Sequence, residues 1–193
     1  MKKILIAALT LILFCLFSFF YFELPFNLIR PVFHTDSINH YARQYNLDPL
    51  LITSIIKVES NFLRRARSRV GATGLMQVLP STAKEIGPEL GYTDYSKIDL
   101  ENPDTNIRFG SLYIRKLSDE FDGNLALTIA AYNAGKNKVH SWYLQNPLIA
   151  VEYSDMPYKE TRNYVYNVMR TYKWLQKIQK LKILIGRKKP EQT

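Results

Sequence analysis

An all-α fold is what the sequence predicts, preceded by an apolar N-terminal helix and holding at most a small β-hairpin near Arg67–Gly74. Three observations predict it. Apolar residues recur at helical spacing after Thr35, as in Ile52, Ile55 and Ile56 and again in Val165, Val168, Met169, Tyr172 and Leu175. Helix-start chemistry, a capping side chain ahead of a proline or an apolar run, occurs at Asp48-Pro49, Asn102-Pro103 and Asn124-Leu125. No alternating run of strand length accompanies them.

Taken in chain order, residues 1–3 read as a cytoplasmic stub, because Lys2 and Lys3 precede an uncharged run from Ile4 to Phe22. At about 1.5 Å per residue that run comes close to a hydrocarbon core of roughly 30 Å. Residues 4–22 are therefore expected to be a transmembrane anchor, with the rest of the chain on the extracytoplasmic side of the cell membrane. The alternative is a cleaved signal peptide and a secreted product. The length of the run favours the anchor, as does the lack of a small-x-small site in Phe20-Tyr21-Phe22-Glu23-Leu24-Pro25. Residues 23–35, interrupted by Pro25 and Pro31, read as a tether.

Residues 36–180 read as one helical domain. Asp36 is placed to cap a helix through about Tyr45. Asp48 is placed at an N-cap, with Pro49 at the first helical position. Pro80-Ser81-Thr82-Ala83 opens a short helix that stops at Gly87-Pro88. Asn102-Pro103 opens a longer one with Ile107, Gly110, Ile114 and Leu117 on one face. Asn124 caps a helix through about Asn133, ended by Gly135. The last helix runs from Tyr158 to about Leu184. Its end sets Leu175, Ile178, Leu181 and Leu184 among Lys177, Lys180 and Lys182, a pattern suited either to packing on the domain or to a membrane surface. Residues 181–193 form a basic tail, disordered from Arg187 onward.

The net charge of +9 lies mostly at the ends. Lys2 and Lys3 carry +2, and six basic residues against one glutamate from Lys177 onward carry +5, which leaves about +2 for the domain. A nucleic-acid partner would call for a basic excess on the folded domain, so none is expected. Cys15 is the one cysteine, so neither an intramolecular disulfide nor a cysteine-based metal site is available. His34, His40 and His140 show no ligand spacing, and no metal or cofactor is expected.

Glu59 is the residue that points to chemistry. It completes the stripe Ile52, Ile55, Ile56 at i+7, near the C-terminal end of its helix, and no other carboxylate occurs until Glu85. Burial and the negative end of the helix dipole both disfavour its charged form, as a general acid at neutral pH requires. The alternative is a structural helix-end glutamate paired with Arg64 or Arg65.

Glu59-Ser60-Asn61-Phe62, Gly74-Leu75-Met76-Gln77 with Leu79-Pro80-Ser81-Thr82-Ala83, Asn106-Ile107 with Gly110 and Tyr113, Ala130-Ala131-Tyr132-Asn133-Ala134-Gly135 and Glu160-Thr161-Arg162-Asn163-Tyr164-Val165 appear in that order. Together they resemble the lytic transglycosylases of the lysozyme-like superfamily, in the soluble lytic transglycosylase catalytic-domain family. The resemblance covers roughly residues 38 to 176. It implies a lysozyme-like helical domain that cleaves the β-1,4 bond between N-acetylmuramic acid and N-acetylglucosamine in peptidoglycan. It implies Glu59 as single acid/base and an attack by the muramic C6 hydroxyl that leaves a 1,6-anhydro end. It further implies that Tyr132 and Asn133 contact substrate and that the Tyr164 hydroxyl lies near the acid.

Other roles follow from side-chain chemistry beside the resemblance. Ser60 offers a hydroxyl next to the acid, with a plain helix-end hydroxyl as the alternative. Gly71 and Gly74 permit close backbone approach to substrate, or an ordinary turn. Gln77 offers an amide to acetamido and hydroxyl groups, or a helix cap. Met76 lines either the cleft floor or the core. Arg64, Arg65, Arg67 and Arg69 depart from the family pattern. They read as a solvated loop or as a contact for stem-peptide carboxylates and anionic wall polymers. An arginine close to Glu59 would lower its pKa. The competing functions are a hydrolase similar to goose-type lysozyme and a non-catalytic wall-binding module.

Overall fold

The computed structural model describes residues 9–15 and 34–186, and the chain divides into two units, Met1–Phe33 and His34–Thr193. In the first unit residues 9–15 are helical. Among the described residues no helix is long and apolar enough to cross a membrane. Most of the expected anchor at 4–22, the tether through residue 33 and the tail from Arg187 onward lie outside the described residues.

The second unit is helical. It runs through α1 (Thr35–Gln44), α2 (Pro49–Ser60), α3 (Pro80–Ile86), α4 (Pro103–Glu120), α5 (Leu125–Ala134), α6 (Lys136–Gln145) and α7 (Lys159–Gly186). Short 3-10 turns at Gly87–Leu90, Tyr95–Lys97, Pro147–Ala150 and Tyr153–Asp155 join them. The hairpin expected near Arg67–Gly74 is reduced to isolated bridges from Thr73 to Arg67 and to Val78. The intervening residues turn back too tightly for a ladder, with Gly71 and Gly74 both at φ +83°.

Three helix starts form as their side chains dictate. Asp48 accepts from the Leu50 N–H at 2.8 Å, Asn102 from Asp104 and Thr105, and Asn124 from Leu127 at 3.0 Å. Asp36 does not cap α1. The helix begins at Thr35, two residues earlier than an Asp36 cap would start it, with His34 in the left-handed region, and Asp36 sits within the first turn, where its negative charge still suits the dipole.

Helix α6 is absent from the sequence reading. Gly135, at φ +90° and ψ 139°, ends α5 and starts α6 in a single residue, so no loop separates them. Only Val139 and Trp142 are buried in α6, too few to mark a helical face.

The centre of the unit is α2, whose most extensive packing is against α7. Tyr172 Oη donates to Asp48 at the start of α2 (2.5 Å), and Tyr164 Oη donates to Glu59 near its end (2.6 Å). The later tyrosine meets the earlier carboxylate, so the two helices run antiparallel. Ile52, Ile55 and Ile56 are fully buried beside Ile107, Ile114, Ile129, Val165 and Val168. This apolar core holds both ends of α2 in place.

Candidate active site

Glu59 sits one position before the end of α2 and is half-buried. Burial pushes its carboxyl up to about 7, while the hydrogen bond from Tyr164 pulls in the opposite direction. A partly protonated carboxyl at neutral pH is the result. No arginine is among the groups that perturb Glu59, and the ion pair with Arg64 or Arg65 is not formed. Arg64, Arg65, Arg67 and Arg69 are all exposed, and Arg67 turns away to Glu101 at 2.5 Å.

Tyr164, from the second turn of α7, is 9% exposed. Burial raises its hydroxyl well above the ordinary tyrosine range, and the nearby Glu59 carboxylate adds to this. It therefore stays a proton donor to Glu59. Tyr132 is in the last turn of α5, where burial raises its hydroxyl well above the ordinary tyrosine range and the nearby Glu59 carboxylate adds to this. Its hydroxyl donates to the Met76 carbonyl at 2.8 Å. Asn133 is exposed beside it. The helix ends of α2, α5 and the start of α7 thus bring together Glu59, Tyr132 and Tyr164, which lie far apart in sequence.

The loop from Thr73 to Val78 forms the remaining wall. Ser60 does not face an open cleft. It is buried and donates to Ile56 and to the Leu75 carbonyl, at 3.1 and 2.7 Å, which ties the end of α2 to this loop. Met76 is fully buried over Gly110, where an added Cβ would lie 2.5 Å from its sulfur, so it belongs to the core and not to a cleft floor. Gly74 makes room for protein instead of substrate. A Cβ there would meet Asn106 Nδ2 at 2.3 Å and the Leu100 carbonyl at 2.5 Å. Gly71 has no such close neighbour, and its φ of +83° serves the turn. Gln77 is no helix cap. It donates to the Ala66 and Gly74 carbonyls at 3.0 and 2.9 Å, bracing the loop from within.

Gln77, Val78, Leu79, Thr82, Tyr113 and Tyr132 line a small cavity of about 20 Å³. Tyr113 is also in the wall of a larger one, about 220 Å³, with Glu85, Lys116, Leu117, Glu120 and Lys136. The ring of Tyr113 lies 5.7 Å from that of Tyr132. Tyr113 thus borders both hollows, with Tyr132 in the smaller one and Lys136 in the larger. Among the described residues no cluster of His, Cys, Asp and Glu could hold a metal ion.

Sequence reasoning assigned no role to Tyr113 or to Asn106. A signal existed for Asn106: it shares the stripe of Gly110 and Leu117 on α4, a lone amide on an otherwise apolar face.

The chain is similar to known proteins of one family. The transglycosylase SLT domain profile matches residues 36–148. The soluble lytic murein transglycosylase of Salmonella typhimurium is 33% identical over 143 residues, which cover 72% of this chain and 22% of that protein. The membrane-bound lytic murein transglycosylase E of Buchnera aphidicola is 34% identical over 140 residues, covering 67% of this chain and 66% of that one. Among solved structures, the lytic transglycosylase Slt of Pseudomonas aeruginosa, determined as an inactive glutamate-to-glutamine mutant, superposes with a TM-score of 0.69. It has 37% identity over 77% of this chain and 25% of its own. The chain spans about a quarter or less of the soluble relatives it matches.

Proposed function

The chain belongs to the transglycosylase SLT domain family, and on that premise we propose that it is a peptidoglycan lytic transglycosylase. It cleaves the β-1,4 bond between N-acetylmuramic acid and N-acetylglucosamine and leaves 1,6-anhydromuramic ends. The observation that carries this reading is Glu59, raised to about 7 by burial and held by the Tyr164 hydroxyl at 2.6 Å.

Protonated Glu59 gives its proton to the glycosidic oxygen as the bond to the muramic C1 breaks. The carboxylate so formed is steadied by the Tyr164 hydroxyl. It then takes the proton of the muramic C6 hydroxyl as that oxygen bonds to C1. The ring closes, Glu59 is protonated again, and no water is consumed. The intramolecular nucleophile gains from a high effective molarity.

Hydrolases that work with two carboxyl groups hold them roughly 5–9.5 Å apart. A second carboxylate close by would raise Glu59 by repulsion, and none is among the groups that shift it. This favours ring closure over the goose-type hydrolytic alternative. Mass analysis of products from purified peptidoglycan tests it. Saccharides ending in 1,6-anhydromuramic acid are expected, and reducing ends throughout would replace this reading with hydrolysis. Full lytic activity in Glu59→Gln would remove Glu59 from the mechanism.

The whole protein is assigned to the cell envelope, with residues 4–22 as its membrane anchor and the glycan strand as its substrate. The uncharged run supports the anchor, and membrane-bound relatives are in keeping with it. Release from membranes by salt alone would exclude a spanning helix. The exposed Arg64, Arg65 and Arg69 are assigned to anionic groups of the wall. Stripping phosphate polymers from the wall is then expected to weaken sedimentation of the protein with it.

A further inference from the structure

Thr73–Val78 is a mostly buried loop that pairs with itself between Thr73 and Val78 and from Gln77 to Gly74, which leaves the Leu75 carbonyl and both backbone groups of Met76 to find partners from elsewhere. Three helices supply them. Ser60 of α2 donates to the Leu75 carbonyl and Tyr132 of α5 to the Met76 carbonyl. Asn106 of α4 makes three bonds and is fully buried. Its Oδ1 accepts from the Met76 N–H at 2.7 Å, and its Nδ2 donates to the carbonyls of Thr73 at 2.8 Å and Leu100 at 2.9 Å.

Only a side-chain amide joins an acceptor and two donors in one plane at this size. The loop is shaped around it. Gly74 has no room for a side chain because Asn106 Nδ2 would lie 2.3 Å from its Cβ. Met76 is thus held on both sides, the N–H of the peptide before it by Asn106 and the carbonyl of the peptide after it by Tyr132, and the next residue is Gln77, turned to φ +47°. A shift of Asn106 reaches Tyr132 through that one residue.

We infer that Asn106 is a positioning residue for the reaction, setting Tyr132 beside Glu59 and the substrate through Met76. It touches no reacting atom. The inference rests on the transglycosylase reading for its activity arm only.

The test pairs Asn106→Asp with Tyr132→Phe. Aspartate keeps the acceptor for Met76 N–H and loses the paired amide donors. Asn106→Asp is expected to lower kcat by roughly 100-fold, the scale of a 1 Å misplacement, with KM changed far less. The double variant is expected to be no slower than the slower single variant, because both act through the one residue Met76. Multiplying losses, or an Asn106→Asp enzyme of full kcat, would overturn the inference. Thermal melting checks that each variant is folded at the assay temperature, and Asn106→Ser takes the place of Asn106→Asp if the latter is not. A second arm needs no turnover. The 13Cζ resonance of Tyr132 is expected to shift in Asn106→Asp, while that of Tyr172 does not. An unmoved Tyr132 signal overturns the inference. A wild-type protein that releases no saccharide would instead overturn the transglycosylase reading and leave this arm to decide.

Discussion

The two ends of α2 carry the same pair of groups and put them to different uses. At the start, Asp48 accepts from Tyr172, and near the end Glu59 accepts from Tyr164. Both tyrosines come from α7. Asp48 also accepts from the Leu50 N–H, at the end of the helix where the dipole favours negative charge. Glu59 has the single phenol, sits at the opposite pole of the dipole, and is pushed up to about 7 by burial. The difference teaches that a tyrosine hydrogen bond does not make a carboxylate reactive. Solvation and position on the helix separate a helix cap from a carboxyl that keeps a proton near neutral pH.

The comparison breaks most sharply on turnover. Glu59→Gln is expected to lower saccharide release by about 10³-fold or more, the loss of a general acid that also returns as base. Asp48→Asn is expected to leave the rate near wild type. Equal losses in both would show that the site depends on the α2–α7 contact as a whole.

Next comes the phenol. Tyr164→Phe is expected to cost about 10- to 100-fold in kcat/KM, and to move the descending limb of the pH profile above 7, because its hydrogen bond lowers the Glu59 pKa. Tyr172→Phe is expected to leave that limb in place.

Stability gives a third contrast. Between about 4.5 and 7 folded Glu59 keeps a proton that the unfolded chain has lost. Stability therefore falls as pH rises through that window, by at most on the order of 3 kcal/mol. The cost is absent below 4.5 and complete above 7. Denaturant melts of Glu59→Gln are expected to lack this slope and to exceed wild type at pH 8.

Smaller still, Asp48→Ala is expected to cost about 1 kcal/mol in denaturant melts, through loss of the cap. Smallest of all, Arg64→Gln and Arg65→Gln are expected to leave the pH profile unchanged, since neither guanidinium acts on Glu59.

The legible parts of the molecule were those fixed by short-range chemistry. Asp48-Pro49, Asn102-Pro103 and Asn124 announced their helices because a cap needs only its next three residues. Glu59 stood out because the 3.6-residue period put it on a buried stripe. Helix α6 was not legible, since Gly135 serves as stop and start at once. Met76 and Ser60 point into the protein because of contacts with Gly110 and Leu75, which no spacing along the chain records.

The sequence by itself determined the helical class and the family and singled out Glu59 as the candidate acid, because periodicity, caps and ordered motifs are local properties of the chain. Only the tertiary structure decided the state of that acid. Its burial, the phenol of Tyr164 from 105 residues away and the absence of an arginine beside it depend on how α2 lies against α7. The same holds for Asn106, whose three partners lie 6 to 33 residues distant and meet only when α4 closes on the Thr73–Val78 loop. Desolvation and hydrogen-bond geometry are set by distances in space, and the order of residues does not contain them until the chain has packed.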